Sequence, residues 1–159
     1  MKNNDFFNVR YLVESGIMIA LAVILDMITI YKLPNGGSIT LASMLPIVFI
    51  AVRWGLARGL ITGLLFGVVQ MILSPYVYSI MQGILDYPIA FMFIGVSGLT
   101  LYKNNREKFE GFIPFIILAF FLRFLAHFVS GIVFFASDPN SIPASALFSL
   151  QYNASYMVP

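Results

Sequence analysis

Charged side chains in this sequence gather at a few points, and the stretches between them are apolar for turn after turn. Five such runs, at 11–30, 41–52, 59–73, 77–101 and 112–135, are bounded by charges or by Pro/Gly clusters, and a sixth begins near Ala144. A bilayer core is crossed by about 20 apolar residues in helical form, so the chain has room for six such helices joined by short loops. Composition agrees: 60% of the 159 residues are hydrophobic and 10% are charged, against roughly 25% charged in soluble domains. The expected fold is therefore all-α, an integral membrane bundle of six transmembrane helices forming a single transmembrane domain over residues 1–159. The second run is short, and the sixth reaches Pro159 early enough to suggest a truncated last helix. No convincing cleavage site follows the first run, which reads as a retained helix.

The basic residues are spent on topology. Lys2 and Arg10 precede the first run, Arg53 and Arg58 separate the second from the third, and Lys103, Arg106 and Lys108 separate the fourth from the fifth. On the other side stands Lys32 alone. By the positive-inside rule both termini face the cytoplasm, and the 1–2, 3–4 and 5–6 loops face outward. Small residues recur every four positions at Gly55, Gly59, Gly63 and Gly67, which lets a neighbouring backbone approach one helix face. Packing within the chain is the favoured reading of that stripe, with a partner-subunit surface as the alternative. The shorter pair Gly16 and Ala20 suits packing or a dimer contact equally.

An ionisable side chain near mid-bilayer costs at least about 2.5–3.5 kcal/mol and marks function by default. Glu14, Asp26, Asp86, Arg123 and His127 fall within the runs. Glu14 lies near the inner interface, where it can snorkel in a structural role. At about 1.5 Å of rise per residue, Asp26, Asp86, His127 and the amide Asn153 reach a common level in the outer half of the membrane. Arg123 lies one turn deeper and is expected to neutralise Asp86 or Asp26. Ala119, Arg123, His127 and Gly131 share one face of the fifth helix, and Gln82, Asp86 and Ala90 share one face of the fourth. Tyr76, Tyr78, Tyr87, Phe134, Phe135, Phe148, Tyr152 and Tyr156 surround that level. An acid among aromatic faces suits an organic cation, although aromatics near helix ends also form interfacial belts. The chain has no P-loop, and with one histidine and no cysteine it offers little to zinc. Ser130 near His127 lacks the context of a nucleophile. Transport or solute capture fits better than catalysis, and no cofactor is expected.

Several strings carry a likeness. Asn35-Gly36-Gly37-Ser38-Ile39-Thr40-Leu41, Met44-Leu45-Pro46-Ile47-Val48 and Arg53-Trp54-Gly55 come first. Gln82-Gly83-Ile84-Leu85-Asp86-Tyr87, Leu122-Arg123-Phe124 with His127-Phe128, Ser130-Gly131-Ile132-Val133-Phe134-Phe135, and Tyr152-Asn153-Ala154-Ser155-Tyr156 follow. In order and spacing they resemble the thiamine-specific S components of energy-coupling factor (ECF) transporters. The resemblance implies a membrane subunit that binds thiamine near the extracellular side of a prokaryotic plasma membrane. It also implies work with a transmembrane coupling subunit and two cytoplasmic ATPases. It assigns Asp86 to the cationic, amino-bearing ligand, with Tyr87 beside it, Tyr76 closing the pocket, His127 as the pocket histidine and Asn153 as the amide that bonds the pyrimidine. Phe135 stands where some members have a stacking Trp, Phe148 where some have Tyr, and Asp86 where some have Glu. The family's docking stripe maps onto Gly16 and Ala20. The competing readings are an S component for another vitamin, a small membrane enzyme using Asp86 and His127, and a structural subunit packing through its glycines.

Overall fold

The computed structural model describes residues 7–33, 37–40, 42–73, 76–101, 111–135 and 142–157. Lys2, Asn35, Gly36, Leu41, Lys103, Arg106, Lys108 and Pro159, named above, lie outside the described residues. Helix α1 (Val9–Met27) starts at Asn8, whose side chain accepts from Arg10 N at 2.7 Å, supplying one of the partners a first helical turn lacks. The chain then forms a small antiparallel hairpin, β1 (Thr29–Lys32) and β2 (Ser38–Thr40), with Tyr31 opposite Ile39 and Lys32 opposite Ser38. Loop rather than strand was expected here. The β-branched and aromatic residues of Thr29-Ile30-Tyr31, ahead of a sequence rich in Pro, Asn and Gly, are the signals for it, over a stretch too short to stand out.

Helix α2 (Leu45–Trp54) begins four residues later than the apolar run and carries Pro46 in its first turn, where no N–H is needed. It ends at Gly55, whose φ of 95° only glycine takes without strain, and the chain enters α3 (Leu56–Leu73) directly. Gly55 is thus a hinge between helices rather than the first member of the stripe. Helix α4 (Ile80–Thr100) is irregular. Pro88 removes a ladder donor and crowds the preceding turn, and residues Leu85–Ile89 widen into a π turn. Beyond Met92 the helix tightens into 3₁₀ geometry over Phe93–Leu101. Helices α5 (Ile113–Phe134) and α6 (Ile142–Met157) complete six helices among the described residues. Three of the six, α3, α4 and α5, are long and apolar enough to cross a membrane.

The stripe on α3 packs inside the chain, as favoured above. A methyl group at Gly59 would meet Ala51 and Gly95 O, at Gly63 Phe91 O, and at Gly67 Tyr87 O. On α4, Gly95 and Gly98 answer with the same economy against Gly59–Leu60 and Gly55–Leu56. Beside this seam sits the core of Ala22, Ile47, Val48, Phe66, Phe91 and Ile94, with the Phe66 and Phe91 rings edge to face at 4.8 Å. The outward faces remain apolar: Ile17, Ile24, Ile117, Phe121 and Val133 are all exposed. Each would gain about 1.5–3 kcal/mol from burial, which lipid supplies.

Polar groups gather at the two ends. At one end Glu14 accepts from Arg10 Nε (2.9 Å), Arg53 Nε (2.7 Å) and Trp54 Nε1 (2.8 Å). The Tyr11 hydroxyl donates to Arg58 O at 3.0 Å and lies 3.1 Å from Thr62 Oγ1. Glu14 is thus a structural clasp between α1 and α2. At the other end a cavity opens.

Candidate ligand cavity

The cavity has a volume of about 940 Å³ and takes side chains from all six helices and the hairpin. That is the upper part of the range found for small-molecule sites. Its floor is organised by α4. Ser79 caps the helix by accepting from Gln82 N at 3.2 Å, and the π turn directs Asp86 and Tyr87 inward. Gln82 Nε2 donates to Asp86 Oδ2 at 2.5 Å, while Gln82 Oε1 accepts from Tyr78 N at 3.0 Å. Asp86 Oδ1 lies 3.3 Å from His127 Nδ1 on α5, in contact but with no hydrogen bond formed. A carboxylate beside Nδ1 favours the proton there and leaves Nε2 as an acceptor.

Five buried polar atoms have no hydrogen-bond partner among the described residues: Gln70 Nε2, Asp86 Oδ1, Arg123 Nε, His127 Nε2 and Ser130 Oγ. All five belong to residues lining this one cavity. Buried polar groups are ordinarily satisfied, because each unmet donor or acceptor costs about 1–3 kcal/mol. Their concentration around one cavity marks a surface built to meet a polar molecule.

Two groups of aromatic rings flank the cavity. Tyr76, on the segment before α4, offers its N–H to the Tyr87 hydroxyl at 3.0 Å, and its own hydroxyl lies 3.3 Å from that of Tyr78. That contact raises the Tyr76 phenol above the ordinary tyrosine range, with partial burial adding to it. Phe135 meets Tyr78 edge to face at 5.3 Å, and Phe148 stacks on Tyr152 at 6.0 Å. Tyr152 also accepts from Gly37 N at 2.9 Å, which fixes the hairpin against α6.

Asp86, Tyr87, His127, Asn153, Phe135, Tyr76 and Phe148 all line the cavity, but Asn153 differs from its neighbours. Its amide is 3% exposed. Nδ2 donates to Ser149 O at 2.9 Å and His127 O at 3.3 Å, and Oδ1 accepts from the Tyr156 hydroxyl at 2.8 Å. In this structure it is a strap between α5 and α6 with its bonding filled from within the chain. Arg123 also departs from expectation. It forms no ion pair with Asp86 or Asp26 among the described residues. Gln82 and His127 already flank Asp86, and the guanidinium turns instead over the Phe91 ring at 4.7 Å, against the Met44 sulfur. Gly16 and Ala20 lie away from the cavity on the exposed face of α1, and a methyl at Gly16 would meet nothing within 4 Å.

Gln70, an amide in an otherwise apolar run three residues after Gly67, is the cavity residue that sequence reasoning missed. Ser130, which lacks the context of a nucleophile, lines the cavity too, and its one-turn spacing from His127 is the signal for that role.

The profile of the family described as "Thiamine transporter protein (Thia_YuaJ)" matches residues 12–159. A thiamine transporter ThiT of Bacillus subtilis is 39% identical over 160 residues, covering 93% of this chain and 82% of its own. One from Lacticaseibacillus paracasei is 32% identical over 106 residues, covering 59% and 53%. The solved structure of ThiT from Listeria monocytogenes superposes with a TM-score of 0.77 at 25% identity, over 94% of this chain and 86% of that one.

Proposed function

The chain belongs to the thiamine transporter protein family, and from that premise we propose that it is the thiamine-binding membrane subunit of an ECF importer. The observation that carries the substrate is the set of unpartnered buried polar atoms around one cavity flanked by aromatic rings. Thiamine brings a permanent cation, two flat rings, an exocyclic amine and a hydroxyl tail. Asp86 takes the amino-bearing pyrimidine edge, and His127 Nε2 accepts from a ligand N–H. Tyr87, Phe135 and Phe148 provide faces for rings and for the cation's charge. Tyr76 closes the mouth. Asn153 acts by holding α5 and α6 at the spacing the pocket needs. The chain binds and hands over its cargo without altering it.

Uphill movement needs an energy source that this sequence lacks. The proposed partners are a transmembrane coupling subunit, docking on the open Gly16–Ala20 face of α1, and two cytoplasmic ATPases. Arg10, Arg53 and Arg58 share the end opposite the cavity, which supports a cytoplasmic N-terminus and a cavity facing outward in the prokaryotic plasma membrane.

Calorimetry on the purified chain tests this reading. Trp54, the sole tryptophan, sits at the far end beside Glu14 and is a poor direct reporter. Tight thiamine binding is expected. Preference for a neutral or anionic vitamin overturns the substrate, and release of a chemically altered compound overturns the transport role.

A further inference from the structure

The charges in the cavity wall do not balance. Asp26, Asp86 and Arg123 are its buried or half-buried ions, while Lys32 sits on exposed β1, where water screens it. A buried guanidinium calls for one compensating anion; two carboxylates are present. Asp86 is held between Gln82 and His127. Asp26 has no such direct partner, and only the more distant charge of Arg123 acts on it. Among the described residues its carboxylate accepts no hydrogen bond and pairs with no basic group, and only its backbone carbonyl is engaged, by Thr29 Oγ1 at 3.3 Å.

Its setting makes this more pointed. Asp26 occupies the last turn of α1, where the negative end of the helix dipole disfavours an anion. It is also half withdrawn from water. Among the described residues only the distant charge of Arg123 favours a carboxylate at this position, whereas a cationic guest would meet it directly.

We propose that Asp26 is a second anionic recognition residue of the cavity, the counter-charge for a ligand's permanently cationic ring, while Asp86 with His127 and Gln82 reads the hydrogen-bonding edge of the other ring. This rests on the thiamine reading above. It makes Asp26 the residue that separates a charged ligand from an uncharged one of the same shape.

The test uses the full chain in lipid nanodiscs, with thiamine and 3-deazathiamine, its isostere carrying a neutral thiophene in place of the thiazolium. Wild type is expected to prefer thiamine. Asp26→Asn should weaken thiamine binding at least tenfold and change the neutral isostere less than twofold, so that the preference collapses. Asp26→Glu should restore most of it, and Asp86→Asn should weaken both ligands. Intact binding of the isostere by Asp26→Asn serves as the folding control. Equal loss for both ligands, or no loss for either, overturns the proposal while leaving the thiamine reading intact. A wild-type chain that binds no thiamine overturns both.

Discussion

At the scale of single residues, the groups that announce themselves in a sequence are those a bilayer penalises. Asp86 and His127 were legible for that reason. We expect Asp86→Asn and His127→Ala each to weaken thiamine binding more than tenfold, with helical content unchanged by circular dichroism; calorimetry checks the first and the spectrum the second. Asn153 was legible as a polar residue at the right depth, but its bonding was not. Ser149 at i−4 and Tyr156 at i+3 were the local clues, and the bond to His127 O depends on an interhelical distance no spacing reveals. Asn153→Ala removes these bonds, each worth about 1 kcal/mol net. It should lower the unfolding temperature in detergent by several degrees, with weaker binding as a consequence of the loosened wall. Gln70 stayed hidden because a neutral amide in a helix is cheap enough to pass as ordinary packing.

At the scale of elements, the glycine stripe gave the α3 face correctly, and its counterparts Gly95 and Gly98 went unnoticed because 3₁₀ geometry spaces them by three. The seam and the docking stripe make opposite predictions for the same substitution. A methyl at Gly67 would stand 2.5 Å from Tyr87 O and 2.8 Å from Pro88 Cα, against the backbone of the π turn that carries Asp86. Gly67→Ala should therefore cost about 1–3 kcal/mol of stability and weaken ligand binding. Gly16→Ala should raise helix stability by about 0.5–1 kcal/mol and leave binding unchanged, since nothing surrounds it. Thermal unfolding and calorimetry on the two variants separate the roles. The irregularity of α4 was only half readable: Pro88 foretold a break, yet whether a proline kinks a helix or widens a turn depends on its neighbours.

At the scale of the whole molecule, charge placement divides the bundle into an arginine-rich end and a cavity end, and the absence of cysteine makes single-cysteine reporters clean. In intact cells Val77→Cys should react with a membrane-impermeant maleimide, and Ala57→Cys only after permeabilisation; the reverse pattern would invert the topology. The seam between α3 and α4 bears on how any cargo leaves. Where two main chains lie so near that no methyl fits, they can neither slide nor part without losing the whole contact at once. Those two helices thus behave as a stator, and the travel needed to empty the chamber falls to the parts facing them: the first helix, the hairpin and the last helix.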